Sequence, residues 1–491
     1  MDGYLLGLVA LTFSPLLTLG KWTIEYYRDP KDLRRYPNMT WFAGMTNIRY
    51  MFISYCGFRS KYMLAKHHSG QPIIRTGPNT LSFSDMRAIK DIYGHSTKCT
   101  KDDQYVVRSG SHFHLADVVD KKEHARKRKV LSSAYALKNL EEWEFKVADK
   151  VERMIAQFDK RCSDDGRDIV IDYRPWTNYF TLDAIADIDL THRLNFWDNA
   201  SDRCIAARPN GTTYEANLRE CLYANSRATA IFCYTVVPYF QRLWSLNDDG
   251  DGIPRYLAAE RMKRYQAGEK LDDFFQSLIE DRNGSPHTLE WARSTTTAIS
   301  MANAMYQLLK HPEVMKKLKQ EIDETLDDEE EVAPYEEVKY LPYLRACLDE
   351  RLRMFPPVSY GLTRQTPADG QEVCGQHISG GRTVNVSSFI AHGDPEIFPE
   401  PESYIPERWL GEAGKDLGPY FIAFSAGARG CIGRNIAYLE QTVLLASVIH
   451  RYDFEFADPK FEVGRYEWQN LHLTELPVKI HRRKEALVEA N

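Results

Sequence analysis

The chain has 491 residues, 43% apolar and 27% charged, with a formal net charge of -6. That length excludes a minimal disulfide-stapled domain, and the mild acidity excludes nucleic acid as a partner, which calls for a strongly basic surface. Nine cysteines stand at 56, 99, 162, 204, 221, 233, 347, 374 and 431, none in a C-x-x-C pair. They exclude zinc sites of the usual spacing and read as reduced thiols, mostly small buried hydrophobes.

In chain order, the first element is an uncharged run from Tyr4 to Gly20. It sits at the short limit of the roughly 17–25 residues needed to span a bilayer. Lys21, Arg28, Lys31, Arg34 and Arg35 follow it, so the positive-inside bias keeps the body cytoplasmic. With no basic stretch before it and no small-residue cleavage pattern, the run reads as a retained single-pass anchor over residues 1–22, followed by one catalytic domain over residues 23–491. Pro37 stiffens the link between them.

From Leu115 onward helical spacing dominates. "LEEWEFKVADKVERMIAQFDKR", "PEVMKKLKQEIDETL" and "YLPYLRACLDERLRMFPP" read as helices, the last stopped by Pro356 and Pro357. Strand signals are few: "QPIIRTG", "RTVNVSSFI" and the segment around Leu476. The expected fold is mainly α with a small β region, in one large domain.

"FSAGARGCIG" (424–433) runs into "CIGRNIAYLEQTVLLASVIHRY", a long apolar helix candidate. Cys431 then falls at or just before a helix N-terminus, where free N–H groups and the dipole favour an anion, here a thiolate able to bind a soft metal. Glycines at 427, 430 and 433 allow close backbone approach to something bulky, and Arg429 offers a forked donor to a carboxylate. These features suit a flat, metal-bearing, carboxylated ligand; a structural cysteine in a glycine-rich turn is the plainer account of the same residues.

The residues Phe424, Gly427, Arg429, Cys431 and Gly433 fit F-x-x-G-x-R-x-C-x-G, and the segment resembles the haem-binding loop of the cytochrome P450 family. The resemblance implies the P450 fold, haem b and Cys431 as the axial iron ligand, with Phe424 beside the sulfur. E-x-x-R occurs five times, but only Glu350–Arg353 lies in a helix ended by Pro-Pro and followed by "PERW". By resemblance Glu350, Arg353 and Arg408 form a structural triad holding the cysteine loop. "EHARKRK" resembles the family's W-x-x-x-R helix, with His124 in place of the tryptophan and Arg128 matching the arginine. Arg128, His124, Arg364 and Arg429 are the implied propionate partners. Lys121, Lys122, Lys127 and Lys129 are a solvated face or, by resemblance, a docking face for an acidic NADPH–cytochrome P450 reductase.

The resemblance runs over nearly the whole chain and is strongest to microsomal fungal members of secondary metabolism. It implies a monooxygenase of the endoplasmic reticulum membrane acting on an apolar small molecule. By analogy its pocket draws on the 100–118 loop, the segment 200–245, residues 358–363 and the turn near Leu471.

One departure stands out. The family's oxygen-activating motif [A/G]-G-x-[D/E]-T-[T/S] is met by Ala292 to Thr297, with Arg293 for glycine and Thr295 for the acid; Thr296 keeps the catalytic threonine position. A helix crossing a body of this size needs roughly 30 residues at 1.5 Å each. Only eight residues separate Thr288, where the run opens, from Thr296. Three readings stay open: a sequence lacking roughly four turns of helix, a haem-poor inactive form, or a different distal geometry with Arg293 near the iron. The last suits a haem-thiolate isomerase or dehydratase that needs no reductase.

Overall fold

A computed structural model describes residues 19–108, 115–162, 169–232, 248–271, 273–275, 295–327 and 330–483. Most of the expected anchor, residues 1–18, lies outside them, as do Trp291, Arg293, Ser294 and the apolar stretch sought before Thr296. Among the described residues no helix is long and apolar enough to cross a membrane.

The principal helices are α1 (Ile48–Cys56), α2 (Arg59–His67), α3 (Arg87–Tyr93), α4 (Lys121–Ala134), α5 (Glu144–Arg161), α6 (Tyr173–Leu190), α7 (Leu218–Phe232), α8 (Asp248–Gln266), α9 (Thr295–Lys310), α10 (Pro312–Asp323), α11 (Pro342–Met354) and α12 (Arg434–Arg451). The strands are β1 (Ile73–Gly77), β2 (Thr80–Phe83), β3 (Thr100–Lys101), β4 (Ile169–Asp172), β5 (Arg203–Ala207), β6 (Thr213–Asn217), β7 (Arg364–Gln365), β8 (Gln371–Val373), β9 (Gln376–Ile378), β10 (Thr383–Val386), β11 (Tyr452–Phe456), β12 (Arg465–Glu467), β13 (Leu471–Leu473) and β14 (Pro477–Arg482). They make one five-stranded sheet in the order β1-β2-β10-β7-β3, a three-stranded sheet β11-β14-β4, and three hairpins. The mainly helical expectation holds, with more short strands than the sequence signals gave.

The main core gathers around α5, α6, α9, α11 and α12. In α5 the residues Val147, Val151, Met154, Ile155 and Phe158 make one buried stripe at helical spacing. Lys146 and Lys150 fall on the same stripe, and their burial is offset by α6: Lys150 Nζ donates to Asp187 Oδ2 at 2.7 Å and Lys146 Nζ to the Asp187 carbonyl at 2.9 Å. The single helix expected over 140–161 is broken at Trp143, which leaves helical geometry to bury its indole near Phe274. α11 starts where Glu321 of α10 accepts the N–H groups of Tyr343 and Leu344, at 2.8 and 2.7 Å, and Pro342 needs no partner. Among the described residues the cysteines are less buried than expected: only Cys99 and Cys347 are fully so, and all are free thiols.

Candidate functional site

Four segments meet at the site: the end of α3, the start of α4, the strand β7 and the loop before α12. The loop 424–433 closes on itself, with the Cys431 N–H donating to the Phe424 carbonyl at 2.8 Å and the Gly430 N–H to the Gly427 carbonyl at 3.0 Å. Gly427 has φ +63, and a Cβ built there would come within 2.1 Å of the Tyr93 carbonyl. Glycine is therefore required at 427, because the loop rides on the end of α3. Gly433 is different: a Cβ there would make only ordinary contact, 3.9 Å from Cys431 Sγ. Gly433 is instead the N-cap of α12, so Cys431 stands two residues before the cap, as expected.

Cys431 is exposed by its own area yet surrounded by protein on most sides. Burial pushes its thiol pKa up, while the Gly433 N–H and the charges of Arg128 and Arg434 pull it back. A thiol in this setting ionises for a cation that coordinates it. Phe424 packs on Tyr438 of α12, ring centroids 5.2 Å apart.

Beside the loop lies a cleft of about 440 Å³ whose lining includes His124, Arg128, Arg364 and Arg429. All four proposed carboxylate partners, drawn from three distant stretches of chain, thus line one space. Lys101, Lys121 and Lys129 line it too, and among the described residues no aspartate or glutamate does. Arg429 donates to the carbonyls of Val118 and Val119, 2.9 Å each, and Arg128 to the Gly430 carbonyl at 2.6 Å. Arg364 reaches Tyr105 Oη at 3.2 Å and the Thr363 carbonyl at 2.9 Å. Burial, then the neighbouring Arg364, lowers Arg429 to about 10; burial and then Arg429 lower His124 to about 3. Positive charge concentrated in a half-buried cleft without acidic lining fits a ligand that brings carboxylates, and the adjacent thiol fits a soft metal on it. The residues present therefore fit haem.

The triad forms as the resemblance implies. Glu350, fully buried, accepts five hydrogen bonds: from Arg353 Nε and Nη2 at 2.8 Å, Arg408 Nε at 3.1 Å, the Ile405 N–H at 3.1 Å and Trp409 Nε1 at 2.9 Å.

Two members of this network had no role assigned from the sequence, although Trp409 closes the "PERW" stretch. Trp409 stacks edge-on against Phe421, centroids 4.9 Å apart. His392 accepts the Ile422 N–H on Nε2 at 3.0 Å, while its Nδ1 donates to the Arg353 carbonyl at 3.0 Å. Both carbonyl and amide partners fix this tautomer. His392 thus bridges the triad to Ile422, two residues before Phe424. "HGD" offers no spacing by which that bridge is readable.

Burial, followed by Arg353, pushes His392 down to about 3. Its folded pKa lies below the ordinary 6.5, so protons favour the unfolded chain. The stability it contributes is complete above pH 6.5 and is lost as pH falls toward 3, by about 1.4 kcal/mol per pH unit at full slope. The urea midpoint is expected to fall between pH 6 and pH 4, and His392→Gln to show a shallower fall over that range.

Thr296 lies in the first described turn of α9, half-buried between the buried Thr295 and Thr297. It is not among the residues lining the cleft.

The cytochrome P450 family model matches residues 73–482. The chain is 29% identical over 451 residues to cytochrome P450 monooxygenase efuB of Hormonema carpetanum, covering 87% of this chain and 86% of that one. It is 29% identical over 476 residues to cytochrome P450 monooxygenase atr2 of Stereocaulon alpinum, covering 93% and 91%. A crystal structure of a cytochrome P450 (CYP102L1) superposes with a TM-score of 0.74 at 18% identity, over 91% of this chain and 99% of that one, a likeness of fold.

Proposed function

The chain belongs to the cytochrome P450 family of haem-thiolate oxidoreductases, and from this premise we propose that it inserts one oxygen atom from dioxygen into an apolar small molecule. The observation carrying this reading is the convergence of the Cys431 loop with a basic cleft that has no acidic lining. When bound, haem supplies the iron that activates dioxygen, and a thiolate ligand favours O–O cleavage.

Cys431 would hold the haem iron through its sulfur, on which the Gly433 N–H, Arg128 and Arg434 favour negative charge. Phe424 shields that sulfur beside Tyr438. Arg429, Arg128 and Arg364 meet the carboxylates, with the neutral His124 donating a single N–H. The Thr296 hydroxyl would hold and pass a proton during the chemistry the haem supplies. Glu350, Arg353 and Arg408 hold the loop and take no part in the chemistry.

Residues 1–22 anchor the chain in the endoplasmic reticulum membrane and residues 23–491 form the cytoplasmic body. Electrons come from NADPH through a reductase docking on the lysines of α4. The resemblance to microsomal fungal members of the family makes a secondary-metabolite intermediate the substrate in this reading. The relatives efuB and atr2 are both named as monooxygenases, so the isomerase or dehydratase reading and the haem-poor reading have no such support.

The test is the absorbance of the expressed, dithionite-reduced protein under carbon monoxide. A strongly red-shifted Soret band is expected; absence of any haem band overturns the reading. Arg429→Ala is expected to lower haem retention by about 10- to 100-fold, the range for partners one shell from a metal ligand. Titrating the apoprotein with haem measures it. An unchanged affinity removes Arg429 from the carboxylate set.

A further inference from the structure

The cleft beside the cysteine loop holds more positive charge than the haem reading uses. Six permanent cations line it: Lys101, Lys121, Arg128, Lys129, Arg364 and Arg429. The two carboxylates of haem leave most of that charge unbalanced.

Acidic side chains of the same elements do not make up the difference. On α4, Glu123 takes Arg126 Nε and Nη2 at 2.8 Å each, and Asp120 Oδ1 accepts the Glu123 N–H at 2.7 Å. Asp91 of α3 turns its Oδ2 to the Cys374 N–H at 2.9 Å. Arg128, Arg364 and Arg429 donate to carbonyls, which orient a guanidinium without cancelling its charge. The crowding is felt at His124: after burial itself, Arg429, Lys101, Arg128 and Arg364 all push it toward its neutral form. Like charges gathered in a half-buried space cost stability until an anion joins them.

The charge stands in two tiers. Arg128, bonded to the Gly430 carbonyl, marks the inner tier beside the cysteine loop, with Arg364 and Arg429. In the outer tier Lys121, Ala125, Lys129 and Ser132 follow one another at three- and four-residue steps, so they share one face of α4. Gly94, His95 and Thr97, in the turn after α3, line the same space. Lys121 Nζ donates to the Thr97 carbonyl at 3.0 Å and fastens the two sides together. Lys121 and Lys129 are exposed, so this tier opens to solvent. Their Cα atoms stand roughly 12 Å apart along the helix, a gap that two lysine side chains can close from either end. Only the small Ala125 stands between them on that face. A dianion with several acceptor oxygens answers two ammonium groups and a nearby guanidinium better than a halide or one carboxylate does.

We propose that the outer half of this cleft, between α4 and the turn after α3, binds a free phosphate ion alongside the haem carboxylates, with Lys121 and Lys129 as its principal partners. The inference rests on the haem reading for those carboxylates alone, since the lysine tier is present without them.

The experiment titrates the haem-loaded full chain with inorganic phosphate by isothermal calorimetry at pH 7, with ionic strength held constant by chloride. One site per chain is expected. Lys121→Gln/Lys129→Gln should weaken it at least tenfold while the carbon monoxide band is kept. Lys122→Gln, on the same helix but outside the cleft lining, should leave it unchanged. An equal loss in Lys122→Gln would reduce the effect to the general charge of the helix and overturn the site. Heat no larger than that of added chloride overturns it too. Phosphate that binds only the haem-free chain and is displaced by haem gives the cleft to the carboxylates alone and rejects a second anion. Tighter binding of glycerol 3-phosphate than of phosphate rejects the free ion and makes the occupant a phosphate monoester. A chain with no carbon monoxide band that still binds phosphate through the two lysines overturns the haem reading and leaves the phosphate site standing.

Discussion

Glu350→Ala is expected to destabilise the fold by about 3–5 kcal/mol, the cost of removing one partner from a buried ion pair. Glu350 is the only carboxylate hydrogen-bonded to both Arg353 and Arg408 among the described residues. Its loss leaves the Arg353 guanidinium, 1% exposed, with only the carbonyls of His392 and Ser403 as acceptors. It also frees the Ile405 N–H and the Trp409 indole at one stroke. Trp409→Phe is the graded control. It removes one donor while Glu350 Oε2 still accepts from Arg353, so about 1–2 kcal/mol is expected. Urea unfolding at pH 7 measures both. Equal midpoints for Glu350→Ala and the parent would show that the network adds nothing net. Should Glu350→Ala fail to accumulate, Glu350→Gln, which keeps the shape and one acceptor, should fall between the two.

The same network shows how far the sequence reaches. "ERLR" and "PERW" are legible because i, i+3 spacing on a helix brings the Glu350 and Arg353 side chains together, and a proline opens the turn that carries Arg408. His392 and Trp409 act through tertiary contacts across distant stretches of chain, and no local period records such contacts.

A different limit applies to the hairpin of β5 and β6. Its turn, "RPNGT", places Gly211 at φ +84 and donates Arg208 N–H to the Thr212 carbonyl at 2.8 Å. Asn-Gly between alternating residues is a hairpin signal, so this pair was readable and went unread amid helical patterning. "RTVNVSSFI" reads as one strand, but the chain turns at Ser387, whose hydroxyl accepts the Ile390 N–H and starts a helical turn. At the site the cysteine loop was legible from spacing, and Gly427 has the predicted close approach. The roles of Gly433 as a cap and of Lys101 as cleft lining depend on where distant segments meet.

Cys431→Ser should abolish the red-shifted carbon monoxide band and lower turnover by at least about 100-fold, more than an outer-shell partner is worth. The substitution is chosen because the fold has little reason to notice it. The loop is closed by the backbone bond from residue 431 to the Phe424 carbonyl, which serine keeps. Serine is close to cysteine in size and shape, so little packed volume is lost and stability should change by no more than about 1 kcal/mol. What changes is the donor. A hydroxyl is harder and far less acidic than a thiol, so it gives the metal no soft anion. Unchanged thermal unfolding of the apoprotein together with a lost band assigns the effect to ligation. A retained red-shifted band would move the ligand to another thiol. Burial pushes Cys99 up, Cys374 up to about 12 and Cys204 up to about 12, as it pushes Cys431 up. Among the thiols whose surroundings are described here, only Cys431 has a cap N–H and two arginine charges pulling against its burial.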